Sequence, residues 1–213
     1  GRGKEALRYA PRERRRTTSD DVESGMVYGR DKRGRFILIE DSDGDLWLDD
    51  WPVLMIDCRG ARAYATWLAR RTGAPWRLPF ELEWEKAARG VDGRTLPWGD
   101  WADAAHCNLR GSLAGPPQTV PVDQFPRDIS VYGVRGMAGN SADWCSDAYE
   151  TEGPVVAGDR VVRDEGAQNA RFRSVRGGSY RDGPEAVRCA SRWRQLPDSR
   201  SGRVGVRLVR SLD

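Results

Sequence analysis

The sequence predicts an α+β fold, and three observations carry that expectation. Two helical patterns stand close together in the first half, at Arg59–Thr72 and Glu81–Arg89. Beyond Gly90 the chain is broken by glycine, proline and tryptophan into short alternating runs with no long period. Among 213 residues there are 24 Gly, 12 Pro and 9 Trp, a composition suited to ordered loops held in place by large aromatic plugs.

Taken in order, residues 1–24 are highly charged, with a basic run from Arg12 to Arg16, and are expected to be a flexible arm or tether. Residues 25–213 form the domain. A hairpin is expected from Met26 to Ile39, with Met26, Val27 and Tyr28 on one side of a turn at Asp31–Gly34 and Phe36–Ile39 on the other. Asp41, Asp43 and Asp45 then begin like a calcium loop, but the twelfth position, where a bidentate Glu is needed, is Pro52. The segment is expected to be a tight acidic turn. In the first helix Ala61, Tyr64, Ala65 and Leu68 share one face, and Gly73 supplies the left-handed cap. The second helix starts in acids, ends at Arg89 and is followed by Gly90, as the helix dipole and capping favour.

Composition narrows the function classes. The longest apolar run, Trp51 to Ile56, is far shorter than the roughly 20 residues of a bilayer crossing, so no membrane span is expected. A formal charge of +3 is too mild to argue for nucleic acid, and the basic run from Arg12 to Arg16 has no interleaved aromatics. Four cysteines without a CxxC pair and a single histidine, His106, argue against a zinc site. The cysteines fit two disulfides or four buried thiols. A cytoplasmic protein is the favoured expectation, with export left open because the sequence begins at Gly1.

The stretch from Ser174 to Ser211 has the layout of a binding site. It opens on Arg176-Gly177-Gly178-Ser179 and closes on the alternating run Val204–Val209, while its middle is polar, irregular and rich in Arg and Trp. Tyr180, Arg181, Asp182, Trp193, Arg194, Gln195, Arg200, Ser201 and Arg203 have no periodic apolar role there. Tyr, Trp and Arg are the residue types that dominate interface energetics, so a protein or other macromolecular ligand is the expected partner.

A series of motifs in one order makes the chain resemble a known family. It runs through Trp51-Pro52-Val53, Tyr64 to Leu68, Arg77-Leu78-Pro79, Glu83 to Gly90, Pro97-Trp98-Gly99, Cys107-Asn108, Met137 to Asn140, Asp143-Trp144-Cys145, Arg176 to Ser179 and Gly205-Val206-Arg207. These resemble the formylglycine-generating enzyme or sulfatase-modifying-factor family, whose domain is a variant of the C-type lectin fold. The resemblance implies two helices, short strands and long ordered loops. The run Tyr132 to Asn140, with Asp43–Trp47 upstream, is similar to versions fused to bacterial signalling proteins such as kinases. The C-terminal stretch also resembles the variable region of lectin-fold proteins diversified by retroelements.

The resemblance implies different chemistry for different branches. The oxidases carry two copper-binding cysteines after Gly-Gly-Ser, whereas Gly178–Arg188 contains no Cys and Asp182 stands where the first would be. Soft copper needs thiolates, so that activity is not expected, and Cys189 matches a position outside the reactive pair. The iron-dependent sulfoxide synthases need several His ligands, which His106 alone does not supply. Calcium is the cofactor left open, at a site made from Gly139, Ser141 and Asp143, with Gly136 replacing the usual oxygen donor and Asp143 a usual Glu. The second family site, starting at Asn108, lacks an acid between Leu109 and Thr119. Trp67, Trp84, Trp98 and Trp144 lie in the recurring framework motifs and are expected as core plugs; Asn140 is expected to hydrogen-bond loop backbone, and Gly177 and Gly178 to permit a tight approach or a positive φ. A non-catalytic ligand-binding domain is the expected function; a formylglycine-type oxidase and a regulatory module attached to a kinase or defence protein are the rivals.

Overall fold

A computed structural model describes residues 7–12, 27–40, 47–158, 160–161 and 170–211. In chain order its elements are β1 (Tyr28–Arg30), β2 (Phe36–Leu38), α1 (Cys58–Thr72), β3 (Trp76–Arg77), α2 (Glu81–Arg89), β4 (Ala142–Ala148), β5 (Val156–Ala157), β6 (Arg160–Val161), β7 (Arg173–Arg176), β8 (Arg192–Gln195), β9 (Val204–Gly205) and β10 (Val209–Arg210). The expected α+β class holds, with strands short and loops long.

The expected hairpin forms between β1 and β2, with Tyr28 opposite Leu38 and Arg30 opposite Phe36. Its turn is fastened by Asp31, whose Oδ1 accepts the amides of Arg33 and Arg35 at 2.9 Å each. The acidic turn at 41–45 lies outside the described residues, as does most of the expected arm. Residues 7–12 do not behave as a tether: the Arg12 amide donates to Met55 O at 3.3 Å, and Arg200 Nη2 donates to Arg8 O at 3.4 Å.

Both helices form where the pattern places them. Asp57 caps α1 by accepting the Gly60 amide at 2.7 Å, and Gly73 at φ 73° turns the chain out of it. At α2 the Glu83 carboxylate accepts the Phe80 amide at 3.0 Å, and Arg77 clamps the same carboxylate at 2.6 and 2.8 Å. The buried side of α1 is narrower than the sequence suggests. Cys58, Ala61 and Ala65 are buried, whereas Tyr64 and Trp67 are each 48% exposed and stack on one another outside. Trp67 is therefore not a core plug. The helix meets the sheet through a stripe of small residues, with Cys58 and Ala61 packed in the same cluster as Trp144, and Trp67 lies off that stripe.

The central sheet has the order β8-β7-β4-β9, antiparallel except for the parallel β4–β9 pair. Its strand β4 is buried along its whole length because a helix covers each face. Successive side chains alternate, so Trp144 enters the cluster of Ile56, Cys58, Ala61, Leu78 and Val175 on the α1 side. Cys145 enters the cluster of Trp84, Ala88, Met137 and Cys189 on the α2 side. Both buried indoles find acceptors: Trp144 Nε1 donates to Ile56 O and Trp84 Nε1 to Asp143 Oδ2, each at 2.9 Å. Away from this sheet, β10 pairs with β3 and so returns to the connection between the two helices.

Candidate functional site

The C-terminal stretch leaves β7 through Gly177 and Gly178, and the space there explains both glycines. Gly177 has φ 80°, and a Cβ on it would sit 3.1 Å from the Trp84 ring. A Cβ on Gly178 would meet Val187 Cγ1 at 2.6 Å and Ala138 O at 3.1 Å. The chain then closes a tight turn. Asp182 Oδ2 accepts Ser179 N at 2.9 Å and Ser179 Oγ at 2.6 Å, while its amide returns to Ser179 O at 3.0 Å. Arg203 reaches Asp182 Oδ1 at 3.2 Å and holds the turn from the far end of the stretch. Asp182 thus serves as a turn brace.

Tyr180 is buried against Val27, Leu54 and Met55, and Arg181 lies over its ring at 5.3 Å. Arg200 makes a two-pronged contact with Asp57 Oδ2, at 3.0 and 2.8 Å, at the cap of α1. Ser201 O accepts the Met55 amide and its Oγ the Arg203 amide. Tyr180 and Arg200, expected on a recognition surface, are fixtures of the frame. The reason is that each has a buried or capping partner far away in sequence.

The remaining residues sit elsewhere. Trp193, Arg194 and Gln195 belong to β8, one edge of the sheet, whereas Arg203 precedes β9, the other edge. Three strand spacings, roughly 14 Å, separate the two groups, so the nine residues do not form one cluster. On β8 Trp193 is 44% exposed. Arg194 lies over Phe172 at 4.8 Å and over Tyr149 at 6.0 Å, and Arg192 covers Tyr149 at 4.9 Å. Arg171 adds a further guanidinium over Phe172 at 5.1 Å. This ladder of arginines and rings went unread in the sequence. Tyr149 and Phe172 become neighbours only through the β4–β7 pairing, where the Tyr149 amide donates to Phe172 O at 3.1 Å.

The expected calcium site is built differently. Asp143 Oδ2 accepts Arg207 Nε at 2.8 Å besides the Trp84 indole, and Arg207 Nη2 donates to Gly136 O at 2.8 Å. Gly139 O accepts the Ser141 amide at 2.8 Å. The one acid of the set, Asp143, is thus paired with a guanidinium in this structure. Among the described residues no group of three or more His, Cys, Asp or Glu side chains is placed to hold a metal. The loop before β4 is organised instead by Asp128, which accepts the amides of Met137, Ala138 and Gly139 at 3.1–3.2 Å. Asn140, at φ 67°, accepts through Oδ1 from Asn108 Nδ2, Thr119 Oγ1 and the Val120 amide, which is the loop duty expected of it.

All four cysteines are free and buried. Burial pushes Cys107 and Cys189 up to about 12 and raises Cys58 and Cys145 as well, so none offers a thiolate near neutrality. His106 is held at Nε2 by Arg127, at 3.2 Å, with its ring edge-on to Trp98.

Residues 39–212 match the sulfatase-modifying factor enzyme 1-like domain. The chain belongs to that family. A serine/threonine-protein kinase pkn1 of Chlamydia caviae is 30% identical over 162 residues, covering 76% of this chain and 24% of the kinase. The formylglycine-generating enzyme of Streptomyces coelicolor is 33% identical over 181 residues, 76% of this chain and 53% of that enzyme. The chain thus spans about a quarter of the kinase relatives and about half of the enzyme relatives. Among solved structures, PvdO from Pseudomonas aeruginosa superposes with a TM-score of 0.68 at 25% identity, over 87% of this chain and 71% of PvdO. Treponema denticola variable protein 1 superposes with a TM-score of 0.60 at 19% identity, over 80% of this chain and 73% of that one. The sulfatase-modifying factor enzyme 1-like domain here therefore has the family's α+β, C-type lectin-like fold.

Proposed function

We propose that this sulfatase-modifying factor enzyme 1-like domain is a non-catalytic recognition module, with its contact surface on the edge strand β8 around Trp193, Arg194 and Gln195. The observation that supports it most is the turn after Gly178. A brace of Ser179, Asp182 and Arg203 stands there, and every described thiol is buried and protonated. At the opposite edge of the sheet, β8 presents an exposed indole on one face and, on the other, an arginine seated on two rings, residue types that anchor interfaces. Arg181 and Arg203 at the other sheet edge form a second, smaller contact area. The match to a quarter of a kinase suits a module attached to a signalling protein, and the fold shared with a variable protein suits a frame that carries changeable residues.

The test is partner capture by the wild-type domain and by the Trp193→Ala/Arg194→Ala double variant, with thermal melts of both. A partner retained by the first and lost by the second, at unchanged melting temperature, is expected. Equal capture would remove β8 as the contact surface. The rival reading, an oxidase acting on sulfatase cysteine, is favoured by the likeness to formylglycine-generating enzymes. Incubation with a cysteine-containing sulfatase peptide, copper and oxygen separates the two, because turnover would overturn the non-catalytic reading.

A further inference from the structure

A cavity of about 130 Å³, with no residue of β8 in its lining, opens between the hairpin and the segment that leads into α1. It is comparable with the ~150 Å³ apolar cavity that accepts a benzene-sized guest. Three aromatic residues, Tyr28, Trp47 and Trp51, line it together with Asp49. The two indoles meet edge-to-face, with centroids 5.9 Å apart at 72°. Asp49 is exposed, and among the described residues its side chain makes no ion pair or hydrogen bond. Its charge reaches into the cavity: burial, then the Asp49 carboxylate, hold the Tyr28 hydroxyl above its ordinary range.

Two further features mark the wall as built at some cost. Met55 lines the cavity in a left-handed conformation, φ 56°, which a non-glycine residue adopts only when its surroundings force it. Its amide and carbonyl are both held, by Ser201 O and by the Arg12 amide. The Trp51 Nε1 atom is buried without a hydrogen-bond partner, a donor left over on a lining residue.

We infer that this cavity is a binding site for an alkylammonium group, held by the faces of Tyr28, Trp47 and Trp51 and by the Asp49 carboxylate. Aromatic faces attract a diffuse cation through their quadrupoles, and a neighbouring unpaired carboxylate supplies the counter-charge. A neutral guest of the same shape would gain only the apolar contact. The inference is independent of the recognition surface on β8, so either can fail alone.

Isothermal titration of the full chain with choline, and with dimethylbutanol as the neutral isostere in which carbon replaces nitrogen, tests it. Choline is expected to bind about tenfold or more tighter than the isostere. Asp49→Asn should weaken choline by a similar factor and leave the isostere and the melting temperature unchanged. A short peptide carrying trimethyllysine, titrated in parallel, identifies the source: tighter binding than choline assigns the cation to a protein side chain, weaker binding to a free small molecule. Equal binding of choline and the isostere, an unchanged Asp49→Asn, or no heat from either cation would overturn the site.

Discussion

Arg192 of the edge strand β8 closes on Glu81 of α2, with Nε 2.6 Å from Oε2 and Nη2 2.9 Å from Oε1. Glu81 is fully buried and also receives the Ser174 hydroxyl and, at 3.4 Å, Arg176 Nη1. One carboxylate thereby ties the proposed contact strand to the helix beneath it. Burial pushes Glu81 upward, but hydrogen bonds from Arg192 and Ser174 and the charges of Arg192 and Arg176 outweigh it and hold the carboxyl below its ordinary value of 4.5. Glu81→Gln leaves Arg192 without its counter-charge, while Arg176 keeps Glu85 at 2.6 Å, and is expected to lose about 3 kcal/mol in urea unfolding. A group with a lowered folded pKa contributes above its unfolded value, so the gap between wild type and variant should narrow as pH falls below 4.5. A loss under 1 kcal/mol would show that the network carries little stability.

Asp128 behaves in the opposite sense. Burial raises it to about 6, against the three backbone amides that favour its ionised form. The folded state then binds the proton more readily than the unfolded chain between 3.8 and about 6, and stability from this group falls as pH rises through that window. Lowering the pH from 7 to 4 should shift the stability difference between wild type and Asp128→Asn toward wild type, by up to about 3 kcal/mol. Asp147, also raised to about 6 chiefly by burial, is common to both proteins and cancels. A difference that stays flat with pH would remove the titration from Asp128.

The thiols give a third check. With Cys58, Cys107, Cys145 and Cys189 buried and held protonated, the folded protein should react with no disulfide reagent at neutral pH on the timescale of minutes. All four should titrate at once in denaturant, with no reductant needed, which selects free thiols over the two disulfides that the sequence left open. Rapid labelling of one thiol in the native state would revive a cysteine-based chemistry.

What could be read in the sequence follows from the range of the interactions. The helices, their caps and the hairpin turn rest on contacts within five residues, so Gly73, Gly90, the acids opening α2 and the turn at Asp31–Gly34 announced them. Motif order announced the family fold as well. The roles of single polar residues did not follow, because they depend on partners brought close only by folding. Arg200 meets Asp57 across 143 positions, and Arg207 meets Asp143 across 64. Tyr149 and Phe172 gain Arg194 only when β7 and β8 pair. A polar, irregular segment thus looked like one surface, while the sheet order sends its two ends to opposite edges. The recurrence of tryptophan in framework motifs likewise said nothing of which face each would take.

Trp67 and Trp84 turn that last point into a measurement. Trp84 is 2% exposed, donates its indole N–H to Asp143 and lies against Gly177, so Trp84→Ala opens a cavity and leaves Asp143 with Arg207 as its remaining partner. Such a truncation costs about 3–5 kcal/mol, which at this chain length lowers the melting temperature by about 10 °C or more. Trp67 is 48% exposed, and its contacts are the Tyr64 ring and Arg71 at 5.0 Å. Trp67→Ala removes a stack on the outer face of α1 and gains helix propensity, so a shift within about 3 °C is expected. Comparable losses from the two variants would mean that α1 buries its aromatic side in solution, contrary to the small-residue stripe described here.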